Sequence, residues 1–253
     1  MNLNHIKAIG FDLFNTLITL EPDTILKANE KLISSLKTSG FSIDKKPFEK
    51  AYRKAALEFL DKSRKDGRET HNSFWISAAL KAAGYDVAQD DPRIALAVES
   101  YFSAFFPSCH LIPGTKEMLS SLKKLFRLGL LSNFTHPPAA RTILENLGLL
   151  SFFDVLLISG DLGYRKPHPL TFRKLLEALE VQEDEILYIG DDPDSDIIGA
   201  QHAGIQGVWT TYVKDQNIAP ATGLLLLSTG TPPSSVPRIS SWKELFSFLA
   251  VPR

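Results

Sequence analysis

A single cysteine, Cys109, in a chain of 253 residues excludes an internal disulfide and leaves no thiolate cluster to hold a metal. Long apolar runs are also missing. The longest, GLLLL at 223–227, falls far short of the roughly 20 residues that a membrane-spanning helix needs. No basic stretch leading into an apolar run and a small-residue cleavage site opens the chain. Neither sign of charge is in excess, with 28 Lys and Arg against 29 Asp and Glu and a net charge of -1, so nothing calls for nucleic acid or an anionic membrane as partner. These absences leave the expectation of a cytoplasmic protein in a reducing compartment. The 44% hydrophobic content supplies a sizeable core.

Short apolar runs, each leading into a polar turn, recur at IKAIGF (6–11), RLGLLS (127–132), VLLIS (155–159), EILYIG (185–190) and GVWTTY (207–212). Runs this continuous predict parallel strands buried on both faces. Helical periodicity at 115–126, 137–147, 169–180 and 194–203 fills the intervals between the later runs at the spacing of βαβ crossovers. The fold class expected is therefore α/β, a doubly wound parallel sheet. Residues 21–107 differ, with helical periodicity and no convincing buried strand, between turn residues at Glu21 and Pro22 on one side and Pro107 and the PG pair at 113–114 on the other. They read as a helical cap inserted into a core formed by 1–20 and 108–253. Residues 219–238, rich in Pro, Ser, Thr and Gly, read as an irregular surface connection before a last helix at 241–250.

In an open parallel sheet ligands sit beyond the carboxyl ends of the strands, so polar residues ending separate apolar runs converge. Four clusters meet that description: Asp12 in FDLFNTL, Ser132 and Asn133 in LLSNF, Lys166 in GYRKPHP, and Asp191, Asp192 and Asp196 in GDDPDSD. Each alone would pass as a turn, a helix cap or a solvated charge. Together they supply a carboxylate nucleophile, a hydroxyl and an ammonium to hold an oxyanion, and further carboxylates for a hard divalent cation, which is a set for phosphoryl transfer. In that reading Asp12 attacks phosphorus in line. Mg²⁺ is held by Asp12, Asp191 and a backbone carbonyl near Phe14, while Ser132 and Lys166 bind the transferring group.

The same residues resemble the haloacid dehalogenase superfamily. FDLFNTL is similar to its first motif, LLSN to its second, RKPHP to its third and GDDPDSDIIGAQHAGI to its fourth, with PGTKEMLSSLKK resembling the return from cap to core. The resemblance implies a Rossmann-like core of strand order 5-4-1-2-3 with an α-helical cap, Asp12 as nucleophile, Ser132, Asn133 and Lys166 as phosphate binders, Asp191 as metal ligand, and Asp192 or Asp196 as direct or indirect support for the metal. Phe14 departs from it. Phosphatases of this family carry a second Asp there as general acid, and only the backbone carbonyl of Phe14 can still serve the metal. Asn15 replaces the usual Gly, a milder change because Asn tolerates left-handed geometry.

Three readings of Phe14 follow. Dehalogenases of the family place an aromatic at this position, since halide leaves without a proton, yet they tend to lose the acidic fourth motif that is intact here. A phosphohydrolase would take its acid from elsewhere, with His71, His110 and His136 as candidates, or act on a good leaving group such as an acyl or aryl phosphate, or cleave phosphorus from carbon with a cap lysine such as Lys27, Lys31, Lys50 or Lys54. The third reading is a metal- or ligand-binding relative with little turnover. The cap aromatics, from Tyr52 and Phe59 through Phe74, Trp75, Tyr85, Tyr101, Phe102, Phe105 and Phe106, read as packing, and Arg53, Arg64 and Arg68 as a solvated face. A monomer and a homodimer are both compatible with the chain. The leading expectation is Mg²⁺-dependent hydrolysis of a small phosphorylated metabolite.

Overall fold

A computed structural model describes residues 5–221 and 230–250; the GLLLL run and the middle of the 219–238 connection lie outside the described residues. Its centre is a six-stranded parallel sheet of order β5-β4-β1-β6-β7-β8, formed by β1 (Ala8–Phe11), β4 (Arg127–Ser132), β5 (Val155–Ile158), β6 (Ile186–Gly190), β7 (Gln206–Thr210) and β8 (Arg238–Ile239). The expected order of five core strands is present, and the two-residue β8 extends it beyond the fifth. Too short to give an apolar run, β8 had no sequence signal.

Alternate residues of the strands enter opposite layers, as a pleated sheet requires. Ile9, Leu187 and Ile189 join one hydrophobic cluster, with α5 (Thr115–Leu122), α6 (Pro137–Asn146) and α11 (Trp242–Leu249) supplying Leu119, Ile143 and Leu245. Ala8, Ile186 and Tyr188 join the other, with Phe172 and Leu175 of α8 (Pro169–Leu179) and Ala200 of α9 (Gly199–His202). The sheet is thus covered on both sides, which explains the unbroken apolar runs.

Four helices, α1 (Thr24–Thr38), α2 (Lys45–Asp66), α3 (Asn72–Ala82) and α4 (Pro92–Phe102), lie between β2 (Ile18–Leu20) and β3 (Cys109–Leu111), with α1 against α4 and α2 against α3. β2 and β3 pair antiparallel, Leu20 opposite Cys109. This ribbon, unforeseen because three-residue strands carry too little alternation, brings the two ends of the helical segment side by side. Two short helices, α7 (Ser159–Leu162) and α10 (Tyr212–Asp215), are also present. Among the described residues no helix is long and apolar enough to cross a membrane.

The loop between α2 and α3 is fastened to the sheet side. Arg68 bridges Tyr164 and Arg165 N–H donates to Gly67 O at 3.0 Å. Glu69, its side chain fully buried, accepts from Arg165 Nη1 at 3.1 Å and from the Ser159 hydroxyl. Thr135 donates to Asn72 Oδ1 at 2.6 Å, and the Thr135 carbonyl meets His71 Nδ1 at 2.8 Å.

Candidate active site

β1 stands between β4 and β6, the point where the strand order reverses and where ligands bind in open α/β sheets. Phe11 is level with Leu130 and Ile189, so Asp12 emerges between the ends of both neighbouring strands, its N–H donating to Ile189 O at 2.9 Å. Buried Lys166 reaches it from the loop before α8. The Lys166 ammonium donates to Asp12 Oδ1 at 2.7 Å, Asp196 Oδ1 at 2.7 Å and Tyr188 Oη at 2.8 Å, which uses all three of its N–H groups. Tyr188 passes its own proton to Leu131 O at 2.8 Å. A phenol in an otherwise apolar, fully buried strand was the available signal for Tyr188, and sequence reasoning did not use it.

Asp196 projects from a π-helical turn, Pro193–Ile198, of the kind that recurs at functional sites. Its second oxygen accepts from Asp192 N–H at 3.0 Å. Gly190 makes room for it, because a Cβ there would collide with the Asp196 carboxylate. One oxygen each from Asp12, Asp191 and Asp196 falls within 4.8 Å of the others. Burial, then the charges of Asp12 and Asp196, hold Asp191 well above the usual carboxylate range, and burial pushes Asp196 up to about 7 against the pull of Lys166. Burial disfavours the Lys166 charge, but Asp12 and Asp196 outweigh it and hold the ammonium well above its ordinary value. At an effective dielectric near 20, each pair of carboxylates at this range repels by about 3–4 kcal/mol. One ammonium does not neutralise three carboxylates. An all-oxygen, hard donor set with unbalanced negative charge fits a divalent cation such as Mg²⁺.

Two of the expected site residues bond main-chain partners with their side chains. Asp192, expected as direct or indirect support for the metal, lies outside the three-carboxylate cluster while its N–H donates to Asp196; its Oδ1 caps the π-helical turn, accepting from Asp194 N–H at 3.0 Å and Ser195 N–H at 2.8 Å. Asn133, expected at the phosphate, spends its side chain on the Lys166 main chain, donating to Lys166 O at 2.9 Å and accepting from Lys166 N–H at 2.8 Å. It fixes the loop that carries the ammonium. Ser132 ends β4, buried on the strand next to β1. Asn15 adopts φ 60°, the left-handed geometry that its replacement of Gly requires, and its Oδ1 accepts from Ala221 N–H at 2.7 Å.

Asp12, Lys166, Asp191 and Asp196 line a cleft of about 990 Å³ whose opposite wall includes Ser63, Arg64 and Gly67 at the end of α2. A smaller cavity of about 130 Å³ adjoins it, walled by Phe14, Trp75, Tyr101, Phe102, Phe105 and Phe134, and sharing Leu60, Asn133, Arg165 and Ala221 with the cleft. Phe14 stacks on Phe134, ring centroids 5.3 Å apart and 17° from parallel. The candidate acids are elsewhere. His110 pairs with Glu21 at 3.1 Å on the exposed β3 ribbon, and His71 is held by Thr135. His136 stacks on Phe102 at 4.7 Å, its Nε2 3.0 Å from Glu99 but out of hydrogen-bond geometry. None of the three lines either cavity, nor do Lys27, Lys31, Lys50 and Lys54. His168 does line the cleft. Its Nδ1 accepts from Leu170 N–H at 3.3 Å, so a neutral ring carries its proton on Nε2.

A family model for haloacid dehalogenase-like hydrolases matches residues 6–204. The chain belongs to that family. It is a haloacid dehalogenase-like hydrolase with the fold that the resemblance implied. It is 30% identical over 211 residues to the glyceraldehyde 3-phosphate phosphatase of Pyrococcus abyssi, covering 83% of each chain. It is 27% identical over 203 residues to the ribulose-1,5-bisphosphate 5-phosphatase of Halopiger xanaduensis, covering 79% of this chain and 83% of that one. Among solved structures it is similar to a 2-haloacid dehalogenase from Pseudomonas syringae pv. Tomato DC3000, at a TM-score of 0.70 and 25% identity, covering 97% of this chain and 98% of that one.

Proposed function

We propose that this hydrolase cleaves phosphate monoesters of a small cytoplasmic metabolite, with Asp12 as nucleophile and Mg²⁺ as cofactor. The observation that carries the reading is the Lys166 ammonium bonded at 2.7 Å to both Asp12 and Asp196, with Asp191 in the same carboxylate cluster, at the reversal point of the sheet. Phosphatases among the relatives, at 27–30% identity over most of the chain, support it.

Lys166 holds Asp12 Oδ1 at 2.7 Å, so that the other carboxylate oxygen would attack phosphorus while Oδ1 stays on the ammonium. The P–O ester bond breaks as the Asp12–phosphorus bond forms, and water then attacks phosphorus to release phosphate and restore Asp12. Ser132 and the Asn133 main chain, at the end of β4, would hold oxygens of the phosphoryl group. Asp12, Asp191 and Asp196, with the Phe14 carbonyl, would hold the cation, which when bound neutralises charge between Asp12 and the incoming dianion. Residues 21–107 would act as the cap over a core of 1–20 and 108–253, hinged at the β2–β3 ribbon and excluding water when closed.

Phosphate release from acetyl phosphate, an aryl phosphate and sugar phosphates, with and without Mg²⁺, tests this. Turnover that needs Mg²⁺ and disappears in Asp12→Asn is expected; release that survives Asp12→Asn refutes the assignment. The aromatic Phe14 and the likeness to a dehalogenase favour one second reading, attack of Asp12 on the carbon of a 2-haloacid. Halide release without Mg²⁺, and no phosphate release, would establish that reading instead.

A further inference from the structure

The reading above does not say what the phosphoryl group is attached to, and the cavity beside Phe14 bears on that. Building on Asp12-dependent hydrolysis, we propose that this cavity is the leaving-group pocket and takes a single aromatic ring, so that the substrate class is an aryl phosphate.

Size comes first. The cavity measures about 130 Å³, close to the roughly 150 Å³ of an apolar cavity that accommodates benzene. Its walls are rings, Phe14, Trp75, Tyr101, Phe102, Phe105 and Phe134, which favour offset or edge contacts with another ring.

Apart from Arg165, its side-chain polar groups are largely committed to partners. Thr135 donates to Asn72, the Asn72 amide donates to Tyr52 Oη at 3.0 Å, and the Asn133 side chain is committed to Lys166 in both directions. A sugar placed here would give up water at more hydroxyls than the spare N–H groups of Arg165 can receive.

The proton economy agrees. Among the described residues lining the cavity there is no Asp, Glu, His or Lys, and burial raises the Tyr101 hydroxyl above the usual phenol range. An alkoxide leaving group needs a proton at this point, whereas a phenolate departs without one. Arg165 lies at the junction of cavity and cleft, nine-tenths buried, with Nη1 on Glu69 at 3.1 Å and its other N–H groups directed to no described residue. Those N–H groups stabilise the developing oxyanion. As the P–O bond breaks, its electron pair stays on the phenolic oxygen, which leaves as phenolate and takes a proton from bulk water, while Asp12 keeps phosphorus until water displaces it.

The test compares kcat/KM in Mg²⁺ for phenyl phosphate, 1-naphthyl phosphate and glycerol 3-phosphate, together with inhibition by phenylphosphonate and methylphosphonate. Phenyl phosphate should exceed glycerol 3-phosphate by about 10²-fold or more, the worth of the missing acid. Phenylphosphonate should bind about 10- to 100-fold tighter than methylphosphonate, as burial of one ring provides. Phe102→Ala should invert the preference between phenyl and naphthyl esters, and Leu60→Trp, filling the cavity from the other side, should erase the phenylphosphonate advantage. Equal inhibition by the two phosphonates in the wild type overturns the proposal, as does glycerol 3-phosphate turnover matching phenyl phosphate and lost in His168→Asn. No phosphate release from any ester, in the wild type as in Asp12→Asn, overturns the hydrolase reading itself. If the wild type releases phosphate from all esters equally, the hydrolase stands and the ring pocket falls.

Discussion

Installing a carboxyl where the aromatic stands, Phe14→Asp, separates leaving-group chemistry from phosphate chemistry. Phe14 is half-buried and stacked on Phe134 at 5.3 Å. Losing the pair costs about 0.5–1.5 kcal/mol. Losing about half the burial of a full ring costs about 1–1.5 kcal/mol more. The variant should therefore be about 1.5–3 kcal/mol less stable, a fall in Tm of roughly 3–12 °C for a chain of this size. The new carboxyl enters a cavity walled by Trp75, Tyr101, Phe102, Phe105 and Phe134, where desolvation favours the protonated acid. A proton is then on hand for a departing alkoxide. Glycerol 3-phosphate turnover should rise by about 10²- to 10⁴-fold, while 4-nitrophenyl phosphate, whose leaving group needs no proton, should change little. Phe14→Asn, of the same size but without an acidic proton, should show the fall in Tm and no gain. Equal changes in both substrates, or no gain in a Phe14→Asp protein that is folded by circular dichroism, would refute the assignment of Phe14 to the leaving-group side.

Lys166→Met removes the ammonium shared by Asp12, Asp196 and Tyr188, and breaking a buried ion pair of this kind costs about 3–5 kcal/mol; urea denaturation should show it, with Mg²⁺ restoring part of the loss, and an unchanged midpoint would count against the network. Glu69→Ala leaves the buried Arg165 guanidinium without its carboxylate. It should cost a similar few kcal/mol and raise KM for phenyl phosphate together with lower kcat, whereas wild-type kinetics would mean that Arg165 has no bearing on the site. His136 gives the pH dependence: burial depresses its pKa against the pull of Glu99, with His71 adding repulsion. The unfolded chain takes up a proton below about pH 6.5 that the folded one resists, so stability is full above that pH and falls as pH drops through it. His136→Phe, which preserves a ring against Phe102, should lose less Tm than the wild type between pH 6.5 and 5, and parallel curves would exclude His136 as the titrating group.

Strand positions were legible because the sheet is covered on both faces. β4 occupies 127–132 as its apolar run does, and β1, β5, β6 and β7 lie within two residues of theirs at each end. Asp12, Lys166, Asp191 and Asp196 were legible for the same reason, since each follows or approaches the end of a buried strand. What a linear pattern does not carry is where a polar side chain turns once several partners compete. Asn133 and Asp192 stand where the motifs put them, yet one amide is consumed by a neighbouring main chain and one carboxylate by a helix cap. The ring cavity draws walls from residues as far apart as Phe14 and Phe134, on β1's exit, the helices and β4's exit, so helical spacing alone assigned its aromatics to packing.

Charge balance bears on the choice between phosphate and haloacid. Three carboxylates meet a single ammonium, and Arg165, which also lines the cleft, is paired with buried Glu69. A haloacid monoanion attacked at carbon gains nothing from such a surplus of negative charge, and a site evolved for it would do better without Asp191. A divalent cation would turn the surplus to use, because the carboxylates that repel one another would also bind it, and together with the Lys166 ammonium it would offset their negative charge before a phosphate dianion arrives. Phe14 leaves that half of the site intact, since it contributes nothing but a ring to the other half. On the proposed reading the two halves are separable: the carboxylate cluster would serve phosphoryl transfer, and the aromatic cavity would select what the phosphoryl group leaves behind.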